Sequence, residues 1–263
     1  MNCKICDAHC EKIFEKIILQ KYPSSYYQCT NCNFIQTDEP IWLKEAYTNA
    51  ITSLDIGLAT RNITLRDEIK KIIDAYFPES KIYLDYAGGY GMFTRIMRDI
   101  GFDYYRQDDY CENIFANYFD ITDTKIKRFD IVTAFEVLEH FSSPLEEIEK
   151  VLAYSDTVIF STEIVPQTNS NIENWWYIAP ETGQHIAFYS PKSMQLIAKK
   201  FDRNYYCRNG NIHIFTNNTI TNFIKKPRKH LFYKYSFFTK NIKRKSLTEI
   251  DFEYIKTILN SKI

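Results

Sequence analysis

The feature that most constrains this chain is a cluster of glycines between a strand-like segment and a helix-like segment. The 263 residues include only seven glycines, and Gly88, Gly89 and Gly91 lie within four positions of one another. They follow the apolar run KIYLDY at 81–86 and precede a segment at 92–100 with helical spacing of its apolar residues. Doubly wound α/β folds hold a ligand at such a turn, because glycines let it lie against the backbone.

Strand and helix patterns alternate around this turn. Short apolar runs predict strands at 81–86, 103–108, 129–136 and 157–162. Capping residues and periodic apolar positions predict helices that begin at Thr64, at residue 92, at Ser143-Pro144 and at Ser190-Pro191. Strands that alternate with helices in this way predict a parallel, doubly wound sheet.

The last strands depart from that alternation. RNYYCR and NIHIFT are two β-rich runs joined by Asn209-Gly210, which is the strongest two-residue hairpin signal. We therefore predict an α/β fold whose doubly wound, Rossmann-like sheet ends in an antiparallel hairpin. A final helix is predicted near 248–259.

Five of the seven cysteines fall in the first 32 residues, and four of these form two C-x-x-C pairs, Cys3/Cys6 and Cys29/Cys32. Two such knuckles can complete a tetrahedral site of four sulfurs, so the spacing predicts a small zinc ribbon with a structural Zn²⁺. His9 or Cys10 could replace one ligand. Disulfides are disfavoured without a secretion signal, and neither pair has the strand–helix context of a redox motif.

Composition excludes several classes of protein. Lys plus Arg and Asp plus Glu both total 33, so net charge does not favour a nucleic-acid partner. No apolar run approaches the roughly 18 residues of a membrane span, and the polar start lacks the apolar core of a signal peptide. A cytoplasmic protein is therefore expected. We predict a zinc module at 1–40, a cofactor-binding domain at 41–220 and a basic, helical extension at 221–263.

Two cofactor classes fit the glycine turn at this stage. A dinucleotide site needs G-x-G-x-x-G, and Gly89-x-Gly91-x-x-Thr94 has threonine in the third place. Asp108, in the acidic pair that follows the second strand, could accept the ribose hydroxyls of an adenosine. A tight turn without a ligand, and an ordinary loop acid at 108, remain the simpler alternatives.

Several of these motifs together resemble a known family. YLDYAGGYG, the acidic end of the second strand at Asp108, FDIVTAFEVLEHF and the terminal hairpin are similar to a class I S-adenosylmethionine-dependent methyltransferase. The resemblance covers about residues 64–217. The family pattern D-x-G-x-G-x-G has glycine where this chain has Ala87, which is the mildest departure possible.

The resemblance implies a role for residues at the matching positions. The turn would lie by the methionine part of the cofactor, Asp108 would hold the ribose, and the end of a third strand would border the adenine. The residues after the fourth strand, with His140 as a further candidate, would close the methionine side. The implied cofactor-binding residues are Asp85, Ala87, Gly88, Gly89, Asp108, Phe119, Asp120, Phe135 and Glu136.

The cysteine module and the segment WWYIAPETGQH at 175–185 carry a narrower resemblance. They are similar to a bacterial subgroup of these enzymes that methylates sugars or other precursors of surface polysaccharides. This resemblance implies a small sugar-like or phosphorylated substrate. The aromatic residues 175–177 could form a wall on which a sugar stacks, or could cap the core.

An alcohol acceptor must lose a proton, so an O-methyltransferase benefits from a general base. His185 is the candidate, because the pKa of an unperturbed histidine suits a base near neutrality, and Glu181 could orient or replace it. A structural histidine is the alternative. The sequence determines neither the acceptor atom nor the oligomeric state.

Two other functions remain open at this stage. The zinc module and the basic stretch 225–245, with nine Lys or Arg, would suit an RNA methyltransferase. A non-catalytic zinc-ribbon binding protein is the third possibility, and the presence of both Asp85 and Asp108 argues against it.

Overall fold

The computed structural model of the protein describes residues 1–48, 51–52, 54–166, 172–221, 223, 242 and 244–261. Ten strands lie in the described residues: β1 Cys10–Ile18, β2 Tyr22–Cys29, β3 Ile35–Thr37, β4 Ile82–Tyr86, β5 Asp103–Gln107, β6 Ile131–Phe135, β7 Thr157–Ser161, β8 Ala187–Phe188, β9 Asn204–Arg208 and β10 Ile212–Thr216. The α-helices described are α1 Leu43–Ala46, α2 Leu58–Tyr76, α3 Met92–Asp99, α4 Pro144–Leu152, α5 Pro191–Lys200 and α6 Thr248–Asn260.

The larger sheet has six strands in the order β5-β4-β6-β7-β10-β9. Strand β4 pairs in parallel with both β5 and β6, whereas β10 pairs antiparallel with β7 and β9. Asn209 and Gly210, between β9 and β10, both have positive φ, at 57° and 87°, as a type I′ hairpin turn requires. The predicted α/β sheet with a terminal antiparallel hairpin is confirmed.

The chain divides into two compact units, which are described separately. One unit, here called the glycine-turn unit, comprises Asp55–Thr133 and Ile224–Ile263. The other, here called the cysteine unit, comprises Met1–Leu54 and Ala134–Phe223. The domain boundaries predicted from the sequence stay a prediction, because compactness does not test which segments fold independently.

In the glycine-turn unit, α2 buries the face that the sequence predicted, with Leu65, Ile69 and Ile72 inward. The helix nevertheless begins at Leu58 and not after Thr64. The Thr64 hydroxyl donates to the carbonyl of Thr60, four residues earlier and inside the helix. A threonine can therefore occupy a helix interior as well as a cap, and its identity alone does not determine where the helix begins.

The C-terminal helix α6 is tied to the rest of the glycine-turn unit by a buried arginine. The guanidinium of Arg98 donates to both carboxylate oxygens of Asp251, at 2.9 and 2.7 Å, and to the carbonyl oxygen of Tyr104 at 2.8 Å. It also lies 3.7 Å from the centre of the Phe119 ring. Both charged side chains are almost fully buried. Arg98 also pairs with Asp103 and Asp251 also pairs with Arg95, so a network of opposite charges holds α6 in place.

The cysteine unit contains a second sheet of four strands, in the order β1-β2-β3-β8. All its pairings are antiparallel. Strand β8 comes from the long segment between β7 and α5, and its Phe188 and Ala187 lie opposite Ile35 and Gln36 of β3. Periodicity predicted none of these four strands.

A core of large side chains lies beneath this second sheet, and Tyr26, Trp42, Tyr177 and Phe188 are its main aromatic members. The indole nitrogen of Trp42 donates to the carbonyl oxygen of Gly183 at 2.8 Å. The segment before β8 is thus held in place by the N-terminal part of the chain.

In the described part of the chain, no helix has both the length and the apolar character that crossing a bilayer requires. The basic stretch 225–245 lies outside the described residues, apart from positions 242, 244 and 245.

Candidate functional site

The turn after β4 has a backbone that explains its glycines. Ala87, Gly89 and Gly91 all have left-handed φ values, of 52°, 55° and 84°. Gly91 is the N-cap residue of α3. At Gly88, an added Cβ would lie only 2.6 Å from Oδ2 of Asp85, so close packing excludes a side chain there. The turn therefore leaves backbone groups uncovered, as a close-fitting ligand requires.

Two side chains from the end of β5 and the residues after it hold this turn. Oδ2 of Asp108 accepts a hydrogen bond from the Gly89 N–H at 2.8 Å, while Oδ1 accepts from the N–H groups of Tyr110 and Cys111. The buried guanidinium of Arg106 donates to the carbonyl oxygens of Gly89 and Cys111. The predicted ribose ligand Asp108 and the glycine turn are thus brought together.

Asp85 lies beneath the turn and is 2% exposed. The hydroxyl of Thr133 donates to its Oδ1 at 3.0 Å and that of Thr94 to its Oδ2 at 3.3 Å. Burial raises the pKa of Asp85 to about 7, against which the two hydroxyl hydrogen bonds act. The carboxyl group therefore changes its charge near neutral pH.

Of the two residues predicted to border the adenine, Asp120 bonds a side chain that holds the glycine turn, whereas the ring of Phe119 packs elsewhere. The carboxylate of Asp120 accepts from Arg106, at 2.6 and 3.2 Å, and its backbone forms a single bridge with that residue in place of a third strand. The ring of Phe119 is buried against Arg98 and Tyr254 of α6. Arg106 links Asp120 to the glycine turn, whereas the Phe119 ring is committed to packing.

In the cysteine unit, β6 ends in the half-buried Phe135, and Glu136 follows with a left-handed φ of 54°. Oε1 of Glu136 accepts from the Ser161 hydroxyl at 2.6 Å, and Oε2 accepts from the Tyr177 hydroxyl at 3.2 Å. Hydrogen bonds thus hold this carboxylate in one orientation.

His185 is oriented by a backbone carbonyl. Its Nδ1 lies 2.6 Å from the carbonyl oxygen of Tyr177. A carbonyl oxygen can only accept, so Nδ1 carries the proton and Nε2 carries a lone pair. The imidazole is therefore held in the tautomer that can accept a proton or bind a cation through Nε2.

Glu181, the second predicted catalytic residue, is exposed and forms no hydrogen bond with His185 among the described residues. Its charge acts on Tyr26, whose pKa is raised first by burial and then by this carboxylate. The structure thus does not bring Glu181 and His185 together.

The acidic residue grouped with His185 is Glu139, which the sequence analysis missed. Glu139 and His140 belong to a short 3₁₀ turn at Leu138–His140. The N–H of Ile186 donates to the carbonyl oxygen of Glu139 at 2.9 Å, which brings His185 beside His140 with ring centres 5.0 Å apart. The adjacent acid and histidine of VLEHF were the only signal, and nothing in the sequence pairs them with residue 185.

The four predicted zinc ligands lie together, with their sulfurs all within 4.8 Å of one another. The Cys3–Cys32 and Cys6–Cys29 sulfur pairs are 3.6 and 3.5 Å apart. A tetrahedron of sulfurs about 2.3 Å from zinc has edges of about 3.8 Å, so the arrangement fits such an ion. These separations are far longer than the roughly 2.05 Å of a disulfide, and the cysteines are free thiols.

The two knuckles have matching backbones. The N–H of Asp7 donates to the carbonyl of Cys3, and the N–H of Asn33 donates to that of Cys29, at 2.9 and 3.0 Å. Both Asp7 and Asn33 have left-handed φ values near 60°. Cys10 lies outside the group and directs its thiol at the carbonyl oxygen of Ala8.

The profile of a methyltransferase domain family matches residues 59–207, more than half of the chain. The chain therefore belongs to this methyltransferase family, which confirms the methyltransferase predicted from the sequence. A comparison with curated proteins gives no match.

Solved structures with a similar fold share little sequence with the chain. The mitomycin 7-O-methyltransferase MmcR is 12% identical, with a TM-score of 0.40 over 58% of this chain and 53% of that one. The chain thus spans about half the length of that protein. The plantazolicin methyltransferase BpumL, solved with S-adenosylhomocysteine (SAH), is 12% identical, with a TM-score of 0.43 over 66% of this chain and 90% of that one.

A third similar structure is the magnesium protoporphyrin IX methyltransferase ChlM from Synechocystis PCC 6803, solved with bound S-adenosylmethionine. It is 14% identical, with a TM-score of 0.39 over 66% of this chain and 87% of that one.

The left-handed φ of Ala87 predicts the effect of restoring the family's glycine. A residue with a side chain destabilises the folded state by about 1–2 kcal/mol in that conformation. Glycine removes this strain, but its greater conformational freedom in the unfolded chain offsets part of the stabilisation. Ala87→Gly should therefore raise the free energy of unfolding by roughly 0.5–1 kcal/mol in urea denaturation. Ala153→Gly, at a φ of −63°, is the matched control and should be no more stable than wild type. A less stable Ala87→Gly protein would contradict the strain.

The raised pKa of Asp85 predicts a dependence of stability on pH. The folded state binds this proton more tightly than the unfolded state, so the stabilisation is complete below about pH 4 and is lost as pH rises towards 7. As pH rises from 5 to 8, the contribution of this residue to the free energy of unfolding should therefore fall by on the order of 3 kcal/mol. Asp85→Asn should lack that component in urea denaturation, whereas the exposed control Asp109→Asn should behave as wild type. Equal pH dependence in wild type and Asp85→Asn would exclude the effect.

Proposed function

We propose that the protein transfers the methyl group of S-adenosylmethionine to a hydroxyl of a small sugar-like or phosphorylated precursor of surface polysaccharide. The observation that carries the methyl-transfer part is the left-handed turn after β4, closed by the carboxylate of Asp108. The sugar-like substrate is supported by the sequence resemblance of the cysteine module and of segment 175–185.

The cofactor-binding part of this proposal uses the glycine turn. The uncovered backbone from Ala87 to Gly89 and the buried Asp85 would border the methionine part. Among the described residues, Oδ2 of Asp108 accepts one hydrogen bond, from the Gly89 N–H, so it keeps a lone pair for a ribose hydroxyl. Phe135 and Glu136 would close the methionine side.

The adenine would be bordered by the backbone at Phe119 and Asp120. The N–H of Arg106 donates to the Phe119 carbonyl oxygen at 2.8 Å, and this bond fixes the backbone next to β5. Because its ring packs against Arg98 and Tyr254, Phe119 would contribute main chain and not ring stacking.

On the acceptor side, His185 is the candidate base. The Nε2 lone pair, fixed by the bond from Nδ1 to the Tyr177 carbonyl, could accept the proton of a hydroxyl as the oxygen attacks the sulfonium methyl group. Most of the rate gain in such a transfer comes from positioning the two reactants. Glu181 remains the second candidate, although it lacks a hydrogen bond to His185.

The aromatic segment contributes one residue to a possible sugar-binding surface. Trp176 is 71% exposed, whereas Tyr177 is buried and Trp175 packs against the core. Trp176 is thus the member of this segment whose ring is available to stack on a sugar.

The zinc part of the proposal rests on the four grouped sulfurs. Cys3, Cys6, Cys29 and Cys32 would fill all positions of a tetrahedral ion, which leaves no place for water or substrate. Such a zinc ion would stabilise the N-terminal fold and take no part in methyl transfer.

Calorimetric titration with SAH tests the cofactor assignment directly. The protein should bind SAH saturably and should not bind NAD. Asp108→Ala should weaken SAH binding about tenfold or more, because a hydrogen bond from a ribose hydroxyl to a charged acceptor is lost. Asp109→Ala, which alters the neighbouring acid, is the matched control and should bind as wild type.

Circular dichroism of each variant checks the fold, since Asp108 also holds the turn. Asp108→Asn, which keeps the size of the side chain, should still bind SAH less tightly than wild type. Binding of NAD, or of neither compound, would refute the cofactor assignment. Wild-type affinity in both Asp108 variants would refute the ribose contact.

Metal analysis tests the zinc proposal. The thiol cluster should retain about one zinc ion per chain, and a strong chelator should remove it and lower the melting temperature. Cys6→Ala should lose this zinc, whereas Cys10→Ala, a cysteine outside the cluster, should keep it. Protein without zinc, or equal zinc content in both variants, would contradict the proposal.

A further inference from the structure

Glu139, His140 and His185 form a cluster of potential ligands that the proposed chemistry does not fully use. One ligand atom from each residue lies within 4.8 Å of the others. Oε1 of Glu139 is 3.9 Å from Nε2 of His140. Two ligands that each lie about 2.1 Å from one ion are at most about 4.2 Å apart, so this pair already fits a shared ion.

Three polar atoms of this cluster lack hydrogen-bond partners in the described part of the chain. Glu139 is completely buried, and neither of its carboxylate oxygens has a hydrogen-bond partner in the described part of the chain. Nδ1 of His140 is also buried and unpartnered there. A buried carboxylate without partners is costly, and such groups in native proteins are paired or coordinate metals.

Another carboxylate and another buried histidine of the same unit do have hydrogen-bond partners. The carboxylate of Glu136 accepts from the Ser161 and Tyr177 hydroxyls. His213 is as fully buried as Glu139. Its Nε2 lies 3.0 Å from the carbonyl oxygen of Thr162, and its Nδ1 lies 2.9 Å from the Tyr205 hydroxyl. This fold therefore supplies partners to a buried histidine or carboxylate elsewhere.

His185 has the hydrogen bond expected of a metal ligand. A ligating histidine donates its second ring N–H to a carbonyl or carboxylate, which fixes the tautomer and turns the lone pair towards the ion. The Nδ1–H of His185 donates to Tyr177 in this way. The backbone bond from Ile186 to Glu139 keeps the ring beside the other two side chains.

We propose that Glu139, His140 and His185 bind one divalent first-row cation through two imidazoles and one carboxylate. Three protein ligands leave coordination positions open, as in catalytic rather than structural sites. The cation would also supply Glu139 with the partner that the polypeptide does not.

This inference rests on the proposed methyl transfer and deepens it. A hydroxyl bound at an open position would lose its proton more readily, and the proton would pass to solvent. The alkoxide would then form the new C–O bond while the C–S bond of the sulfonium breaks, releasing SAH. The lone pair of His185 would be a ligand in that case, so the ion and not the imidazole would activate the acceptor.

Titration of the full chain with Mn²⁺, after loading with a single equivalent of zinc that the four thiolates take first, tests the site. The electron paramagnetic resonance signal of free Mn²⁺ follows the binding. Mn²⁺ prefers carboxylate and imidazole to thiolate, so the four-cysteine cluster does not compete for it. Wild type should bind one Mn²⁺ per chain. Glu139→Gln and His140→Asn should each weaken that binding at least tenfold, since each removes one ligand.

Glu149→Gln, which removes a carboxylate from the exposed face of α4, is the matched control and should bind Mn²⁺ as wild type. Affinity for SAH, measured on every variant, reports separately on the cofactor assignment. Absence of Mn²⁺ binding in a wild-type protein that binds SAH would overturn the metal site and leave the proposed methyl transfer standing. Equal Mn²⁺ affinity in wild type, Glu139→Gln and His140→Asn would also overturn it.

Discussion

The candidate cofactor site depends on one turn that the backbone can form only at a steric cost. Three residues after β4 adopt left-handed conformations, and one of them is an alanine. The turn keeps this shape because Asp108 binds its Gly89 N–H and Arg106 binds the Gly89 carbonyl. Asp85 lies beneath it, so close to Gly88 that no side chain fits between them. The strained backbone of this turn is therefore held by two oppositely charged side chains, Asp108 and Arg106, and by the buried Asp85 that packs against it.

A different constraint organises the cysteine unit: the apolar face of its short N-terminal sheet must be covered. Residues that lie more than a hundred positions later in the sequence cover it. The indole N–H of Trp42 donates to the carbonyl oxygen of Gly183, and the N–H of Leu19 donates to the carbonyl oxygen of Pro180 at 2.9 Å. Strand β3 also pairs with β8. The segment that carries His185 is consequently ordered by the first fifty residues of the chain, although nothing in its own composition predicts a regular structure.

The sequence predicted those features whose signal is local. The strand–turn–helix at Gly88, the hairpin at Asn209-Gly210 and the two cysteine knuckles each depend on residues a few positions apart, and the structure contains all of them. Features that depend on distant contacts were missed. Glu139 was missed because its grouping with His185 depends on a backbone bond to Ile186, far along the chain. The packing of the Phe119 ring against Arg98 is likewise a contact that no local pattern predicts.

One consequence follows from how the segment 185–190 is anchored. Its strand β8 pairs with β3, and the hydroxyl of Ser190, the N-cap of α5, donates at 2.5 Å to the carbonyl oxygen of the cysteine-cluster residue Cys32. His185 and the four thiols are therefore joined through a few hydrogen bonds of ordered backbone. By thermodynamic reciprocity, any coupling along this path acts equally in both directions. If an ion in the thiol cluster strengthened binding at the histidines, occupancy of the histidines would strengthen binding of that ion by the same factor.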